Sequence, residues 1–182
     1  MDQRINKDEL VRLLRDGLVD EFNQARPYLP DIKLDLCECD FRDIKISGAD
    51  LTKVDLSGCD FSKSEIENAD FKESDLSSVN FSHSTISESN FSEVMLEGSF
   101  FNHSVLVKND FSATDLTGIN ICGADLTGTD LSLCKNLMQS LYDGETIWPD
   151  DELLPEDFDP QYEMSFAELE EESDFNEDQY SY

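Results

Sequence analysis

An apolar residue recurs at every fifth position between Leu36 and Leu131, twenty times without a slip. A helix repeats its buried face every 3.6 residues and a strand every 2, so neither produces this period. A fixed internal period is the mark of a repeat architecture. The residue two places before each apolar position is mostly small, as at Cys39, Ala49, Ser64 and Val79. The residue immediately before it is Asp or Asn in fourteen of the twenty units, and the two after it are rich in Ser, Thr, Gly and charge. Two inward residues, one large and one small, with three outward polar ones make one short side of a coil. Ser, Asn, Asp and Gly supply the turn chemistry between sides.

Sorting the apolar residues twenty apart gives four clean columns. One is Leu36, Leu56, Leu76, Leu96, Leu116, and the next is Phe41, Phe61, Phe81, Phe101, Ile121. The third is Ile46, Ile66, Ile86, Leu106, Leu126, and the fourth is Leu51, Phe71, Phe91, Phe111, Leu131. Two opposite walls are aliphatic and two are mostly aromatic, which predicts a structural core of stacked leucines and stacked phenylalanines. Periods of fifteen or twenty-five would scramble these columns. Five coils at a strand spacing of about 4.8 Å would form a rod on the order of 20–25 Å long. The hydroxyls of Ser64, Ser84 and Ser104 fall in one inward column and need partners, most simply the backbone of neighbouring coils.

The units Ala49-Asp50-Leu51-Thr52-Lys53, Ala69-Asp70-Phe71-Lys72-Glu73 and Ala124-Asp125-Leu126-Thr127-Gly128 resemble the pentapeptide-repeat proteins. The resemblance covers about 100 residues. It implies an all-β solenoid: a right-handed quadrilateral β-helix of about five coils, four pentapeptides to each. It also implies no catalysis, and no cofactor is expected. Some proteins of this kind, the fluoroquinolone-resistance pentapeptide proteins, protect or inhibit DNA gyrase. They often carry loops that interrupt the coils and an apolar C-terminal dimer helix, whereas this repeat body is uninterrupted and its end is acidic.

Three segments are expected: an N-terminal helical cap (1–31), the repeat β-helix (32–136), and a C-terminal cap with an acidic tail (137–182). Residues 6–25 read as one amphipathic helix carrying Leu10, Leu13, Leu14, Leu18 and Phe22 at three- and four-residue steps. Asn6 is its N-cap, Glu9 returns the hydrogen bond, and Pro27 and Pro30 end it. Such a cap covers apolar side chains and strand edges at an open solenoid end. The five-residue register is lost after Cys134, and Leu137, Met138, Leu141, Ile147 and Trp148 are expected to fold over the last coil. The run Leu141 to Pro149, followed by Glu156 to Pro160, resembles the C-terminal extension of many cyanobacterial pentapeptide-repeat proteins. Beyond Pro160 acids alternate with Tyr162, Met164, Phe166, Leu169, Phe175, Tyr180 and Tyr182, a pattern usual in segments that are disordered alone and can fold on a partner, so a partly disordered, solvated tail is expected. Ser165 and Glu168 can cap a short helix there.

Charge narrows the partners. With 42 acidic and 13 basic side chains the formal net charge is −29. Nucleic acid and anionic membranes are repelled, and basic proteins or proteins that normally hold nucleic acid are favoured. No apolar run reaches the roughly 20 residues of a membrane span, and Asp8, Glu9, Arg12 and Arg15 interrupt any leader-like segment, so a cytoplasmic protein is expected. The five cysteines show no zinc-ligand spacing, and Cys39 and Cys59 are expected to act as small hydrophobes. His83 and His103 stack on one wall without an evident third ligand, so no metal site is expected.

The surface offers two candidate partner-binding features. One is acidic: Asp50, Asp70, Asn90, Asp110 and Asp130 share a face, as do Asp35, Asp55, Asp75 and Asp115. The other is apolar: Met95, Phe100, Val105 and Val107 occupy otherwise mainly polar positions and wrap three neighbouring walls at one level. With Phe166 and Leu169 of the tail, these residues point to a non-catalytic interaction protein that docks and regulates a partner protein. The alternative is a mimic of duplex phosphate that occupies the DNA-binding groove of gyrase or another enzyme. The chain's own tail and a second copy, forming a homodimer, are the other candidates to cover the apolar level.

Overall fold

The structure is a computed structural model that describes residues 6–26 and 33–160. Two helices, α1 (Lys7–Arg15) and α2 (Val19–Ala25), precede a chain that returns beside itself every twenty residues. Its regular strands are short: β1 (Leu34–Asp35), β2 (Lys45–Ser47), β3 (Val54–Asp55), β4 (Glu65–Glu67), β5 (Thr85–Ser87) and β6 (Val105–Val107). All pairing is parallel. β1 lies on β3, and β2-β4-β5-β6 form one sheet in which Ile46, Ile66, Ile86 and Leu106 are in register. Isolated parallel bridges continue the same twenty-residue step on the other sides, as at Asp40, Asp60, Asn80, Phe100 and Asn120. This is the β-helix architecture implied by the repeat. We number its walls by their central columns, starting from Leu36, Phe41, Ile46 and Leu51.

The coil closes because each side ends in a left-handed residue. From Glu38 to Gly128, the residue two after each central one has φ between 51° and 74°, in thirteen non-glycine and six glycine positions. Only glycine takes this region freely. The turn is held from the front by the residue before the central one. All fourteen Asp and Asn at that place accept a hydrogen bond from the backbone N–H two residues on, for example Thr52 to Asp50 at 3.1 Å and Ser112 to Asp110 at 2.8 Å. Between coils, the N–H of Phe61 donates to the carbonyl of Asn80 at 2.7 Å, and that of Asn80 to Cys59 at 3.0 Å.

The core columns are fully enclosed. Phe41, Phe61, Phe71, Phe81, Phe91 and Phe101 are 0 % exposed, and Phe111 and the leucine column from Leu36 to Leu116 are at most 2 %. Rings stack along each aromatic wall, with centroids 4.8 Å apart for Phe41–Phe61 and 4.9 Å for Phe81–Phe101. The two walls also meet edge to face across the interior, Phe81 to Phe91 at 6.2 Å. Such pairs add about 1 kcal/mol each beyond area burial. The inward serines differ from expectation: Ser64, Ser84 and Ser104 donate to the carbonyls of Phe61, Phe81 and Phe101, three residues back in the same coil, at 2.5–2.6 Å. Other inward side chains do cross: the Asn109 amide reaches the Ile86 carbonyl at 3.0 Å and the Thr114 hydroxyl that of Phe91 at 2.5 Å. Burial pushes the Cys59 thiol up to about 12, as befits a small hydrophobe, while Cys39 is only partly buried.

At the N-terminal end the single helix expected over 6–25 is two. Gly17, with φ of +70°, ends the first, and the N–H groups of Gly17 and Leu18 return to the carbonyls of Leu14 and Leu13. A Cβ at Gly17 would also crowd the Lys45 carbonyl at 3.2 Å. The break turns Leu18 outward, and Val19 takes its place in the core with Leu10, Leu13, Leu14 and Phe22. Asn6 caps α1 by accepting from the Asp8 N–H, but the Glu9 carboxylate pairs with Arg12 instead of returning to Asn6. α2 ends at Ala25, with Arg26 extended. Pro27 and Pro30 lie outside the described residues.

The C-terminal end also differs. Coiling continues past the loss of register, with one residue inserted and then another: Asp115 pairs with Lys135, Asn120 with Leu141, and Asp125 with Ile147. Leu137, Tyr142, Leu154 and Phe158 are buried, with Trp148 partly so. Met138 and Ile147 are exposed, not folded over the last coil. Tyr142, Trp148 and Phe158 close the end as a cluster, with centroids 4.9–6.0 Å apart.

Candidate functional site

Met95, Phe100 and Val105 occur at the same place in three successive pentapeptides, so they lie on the first, second and third walls. They are 47 %, 46 % and 37 % exposed, and Val107 is half-buried. Met95 and Val105 therefore face opposite ways, with Phe100 on the wall between them. The structure does not gather the four into one flat patch.

Their local reasons differ. On the third wall the position before the central residue is Lys45, Glu65, Thr85 and Val105, a column of regular strand residues in place of an Asp turn. β6 is a strand of Val-Leu-Val, and β-branched residues suit it. Val105 and Val107 thus need no further explanation. Met95 stands between Asp75 and Asp115, and Phe100 between Asn80 and Asn120. Each of those four neighbours accepts the turn hydrogen bond, so Met95 and Phe100 replace a turn-closing side chain with an exposed apolar one. From Asp35 to Asp130 these two alone interrupt a column of turn-closing Asp and Asn.

The acidic ladders have a structural task. Asp50, Asp70, Asp110 and Asp130 lie one above another on the fourth wall, and each holds its own turn with one carboxylate oxygen. The four side chains remain at least partly exposed. Towards the N-terminal end such carboxylates meet cations. Lys7 contacts Asp35 at 3.0 Å, Arg42 contacts Asp40 at 2.7 Å, and Arg26 pairs with Asp50. Lys45–Glu65 and Lys53–Glu73 pair across adjacent coils at 2.6 and 3.4 Å. Beyond Lys108 the sequence has twenty acids and one base, Lys135. There the hydrogen-bond donors are mainly neutral: Asp115 is held below the usual carboxylate range by the Thr117 hydroxyl, the Asn136 amide and the Thr117 N–H, with a smaller contribution from the Lys135 charge.

His83 and His103 stack with centroids 5.3 Å apart, both at left-handed corners. Gly123 follows in that column, where a Cβ would come within 2.4 Å of the His103 ring. No group of three or more His, Cys, Asp or Glu suited to a metal occurs among the described residues. No helix of the described residues is long and apolar enough to cross a membrane. Phe166 and Leu169, and the expected capped helix from Ser165, lie outside the described residues.

The family model for pentapeptide repeats matches eight copies over residues 39–77, 74–112, 86–121 and 106–135, together more than half of the chain. No curated protein matches in sequence. Among solved structures, HetL, a pentapeptide-repeat protein involved in heterocyst differentiation regulation from Nostoc sp. strain PCC 7120, is 23 % identical with a TM-score of 0.49. That match covers 50 % of this chain and 39 % of HetL, so the chain spans about two fifths of HetL's length. Rfr23 from Cyanothece 51142 is 21 % identical over 63 % of this chain and 90 % of its own, with a TM-score of 0.39. Full-length QnrB1, a plasmid-mediated fluoroquinolone resistance protein, is 18 % identical over 59 % and 81 %, with a TM-score of 0.22.

Proposed function

Because the chain belongs to the pentapeptide-repeat family, we propose that it acts by presenting a rigid surface: a non-catalytic, regulatory scaffold that docks a partner protein. The observation that carries this reading is the pair of departures at Met95 and Phe100. Every Asp and Asn elsewhere at that repeat position closes a turn. These two forgo that hydrogen bond and leave large apolar groups in solvent. A rod with no need of a partner would gain from Asp or Asn there. The regular serines and aspartates serve turns, which leaves little chemistry to assign elsewhere.

The scaffold is read as a right-handed quadrilateral β-helix of about five coils, residues 32–136. Residues 1–31 form a cap over its first coil, and 137–182 form a second cap and an acidic tail. The acidic faces, Asp50, Asp70, Asp110 and Asp130, and the tail residues Phe166 and Leu169 then guide or extend the contact. The site of action is the cytoplasm. The reading is tested by capture from the source cell with the full-length protein and its Met95→Asp/Phe100→Asp double variant. A protein retained by the first and lost by the second is expected. Identical retention by both overturns it.

One observation favours a second reading, mimicry of duplex phosphate towards DNA gyrase or another DNA-binding protein. The outward carboxylates past Lys108 have few cations near them in sequence. Mimicry requires that binding weaken steeply with salt and be competed by duplex DNA, whereas docking through apolar side chains does not.

A further inference from the structure

From the third coil onward, three walls of the rod are acidic and one is not. The first carries Glu97 and Asp115, the third Glu88 and Asp125, and the fourth Glu93, Asp110 and Asp130. The second wall, from Asn80 to Gly123, carries no Asp, Glu, Lys or Arg, and the next coil adds Leu141 followed by Asp143. Its outward column is Asn80, Phe100, Asn120 and Leu141, stacked by parallel pairing. The remaining outward positions are serine, asparagine, cysteine and glycine, with the stacked His83–His103 pair along one edge. At about 4.8 Å per coil, the uncharged levels at Asn80, Phe100 and Asn120 run some 10 Å along the axis. In a chain of net charge −29 it is a local exception, and Phe100 is at its middle.

We propose that this wall, and not the whole apolar level of the fourth coil, is the docking face. Its occupant is a segment of another protein with an aromatic or aliphatic side chain at its centre and lysine or arginine at its margins. The proposal rests on the docking reading above and names its site and partner chemistry. The cores of protein interfaces are depleted in charge and anchored by aromatic side chains, with polar groups around them. Phe100 supplies the anchor, and the amides of Asn80, Asn102 and Asn120 supply hydrogen-bonding groups beside it. Ser82 donates to Asn102 at 2.7 Å, which holds that amide in place. Met95 and Val105 face away on the adjoining walls.

Charge selects among occupants. A second copy would bring another net −29 against the acids that border the wall. Residues 161–182 carry eight acids and no base, so the chain's own tail meets the same repulsion. A segment with basic margins is instead drawn in by Glu97 and Asp115 on one side, Asp125 on the other, and Asp143 at the far corner.

The probe is a synthetic amphipathic peptide with a central row of leucine and phenylalanine flanked by arginine. Its control has the same apolar row flanked by glutamate. Each is titrated into the full-length, isotope-labelled protein and followed by amide shifts. The arginine-flanked peptide is expected to move the amides of Phe100, Asn102 and Asn120. Its affinity falls at least tenfold in Phe100→Asp and stays as in the wild type in Met95→Asp/Val105→Asp. Aspartate already occupies this column at Asp40 and Asp60, so Phe100→Asp folds, and an unchanged thermal melt verifies that. Equal affinity in wild type and Phe100→Asp, or equal binding of both peptides, overturns the proposal. If the Met95→Asp/Val105→Asp variant alone loses binding, docking through the apolar level stands and this wall does not. If binding follows salt alone and no variant alters it, both readings fall. A homodimer that dissociates in Phe100→Asp, or a free 161–182 peptide that displaces the probe from the same amides, assigns the wall to another occupant and overturns the proposal.

Discussion

The two ends of this rod solve one problem in different ways. A coil stacked on nothing exposes apolar side chains and unpaired backbone. At the N-terminal end, foreign elements cover it. α1 and α2 bury five apolar side chains against the first coil, and their polar side chains meet its backbone. Arg15 donates to the Asp40 carbonyl at 2.6 Å, Asn23 bridges the Gly48 carbonyl and the Asp50 N–H at 2.9 Å each, and Arg26 reaches the carbonyls of Asp50 and Thr52. At the C-terminal end the coil continues with slipped register until aromatic rings fill its cross-section. The first solution uses cations and neutralises the neighbouring ladders, and the second uses bulk and leaves the acids to neutral donors. A charged partner approaching the rod therefore meets its field at the C-terminal half, where the uncharged wall also lies.

The largest expected effect probes the helical end. Phe22 is 0 % exposed, and Phe22→Ala should cost about 3–5 kcal/mol through lost burial and a cavity. Hydrogen exchange should quicken at the amides of Phe41 and Leu51 and leave those of Phe111 and Leu126 nearly unchanged. Exchange that quickens evenly along the rod would mean that the ends are not separate closures. Phe158→Ala makes the converse test, with the effect confined to residues past Asp115. Its cost should be smaller, about 2 kcal/mol, because Phe158 sits at the margin of its cluster at 7 % exposure.

A middle-sized effect isolates the polar part of the N-terminal closure. The Arg26 side chain is 10 % exposed, pairs with Asp50 and donates to two first-coil carbonyls. Arg26→Ala should lower stability by about 1–3 kcal/mol, since hydrogen bonds from a charged donor are lost at a largely buried place. Arg26→Lys should recover only part, because an ammonium cannot hold the two carbonyls as a fork. Full recovery, read from denaturant midpoints, would reduce the closure to simple charge.

The middle of the rod was legible in the sequence and its ends were not, for physical reasons. Twenty apolar residues in one register leave a single way to stack them, and the columns at Phe41, Ile46 and Leu51 stand in the structure as sorted. Corners at Lys53, His83 or Lys108 could not be read from residue type, because the coil imposes positive φ on side chains that do not choose it; the glycines at 48, 58 and 98 were the signal. Leu14, Leu18 and Phe22 continued a helical spacing across Gly17 and hid the break there. The later register slips were visible at Leu137, but not that pairing resumes at Leu141 and Ile147. At the surface, the level of Met95, Phe100, Val105 and Val107 was found by position. Sorting turn residues from strand residues needed the hydrogen bonds, which leave Met95 and Phe100 as the exceptions.

The smallest effect tests whether cations distinguish the two ends. Asp35 is held down at about 2 by the Cys37 thiol and Lys7 with the Cys37 N–H, and Asp40 is held lower still by Arg42. A carboxylate depressed in the folded state adds stability that is complete above its ordinary value near 4 and is lost as pH falls through the folded value. The N-terminal end should therefore loosen between about pH 4 and pH 2. Asp115 and Asp143 are also depressed. Asp115 is held by Thr117 and Asn136; for Asp143, burial pushes upward but is outweighed by hydrogen bonds from Gly123, Glu145 and Thr146. Both ends thus lose stability on acidification, but the N-terminal carboxylates accept hydrogen bonds from cations, whereas Asp115 and Asp143 accept theirs from neutral donors, with Lys135 only a weaker charge beside Asp115. Salt screens exposed ion pairs and leaves neutral hydrogen bonds nearly untouched. Raising salt should flatten the acid response of amides near Asp35 and Asp40, followed by exchange-resolved spectra, and leave the response near Asp115 and Asp143 as it was. An equal change at both ends would show that the neutralised and the un-neutralised halves do not differ in the way their ion pairs suggest.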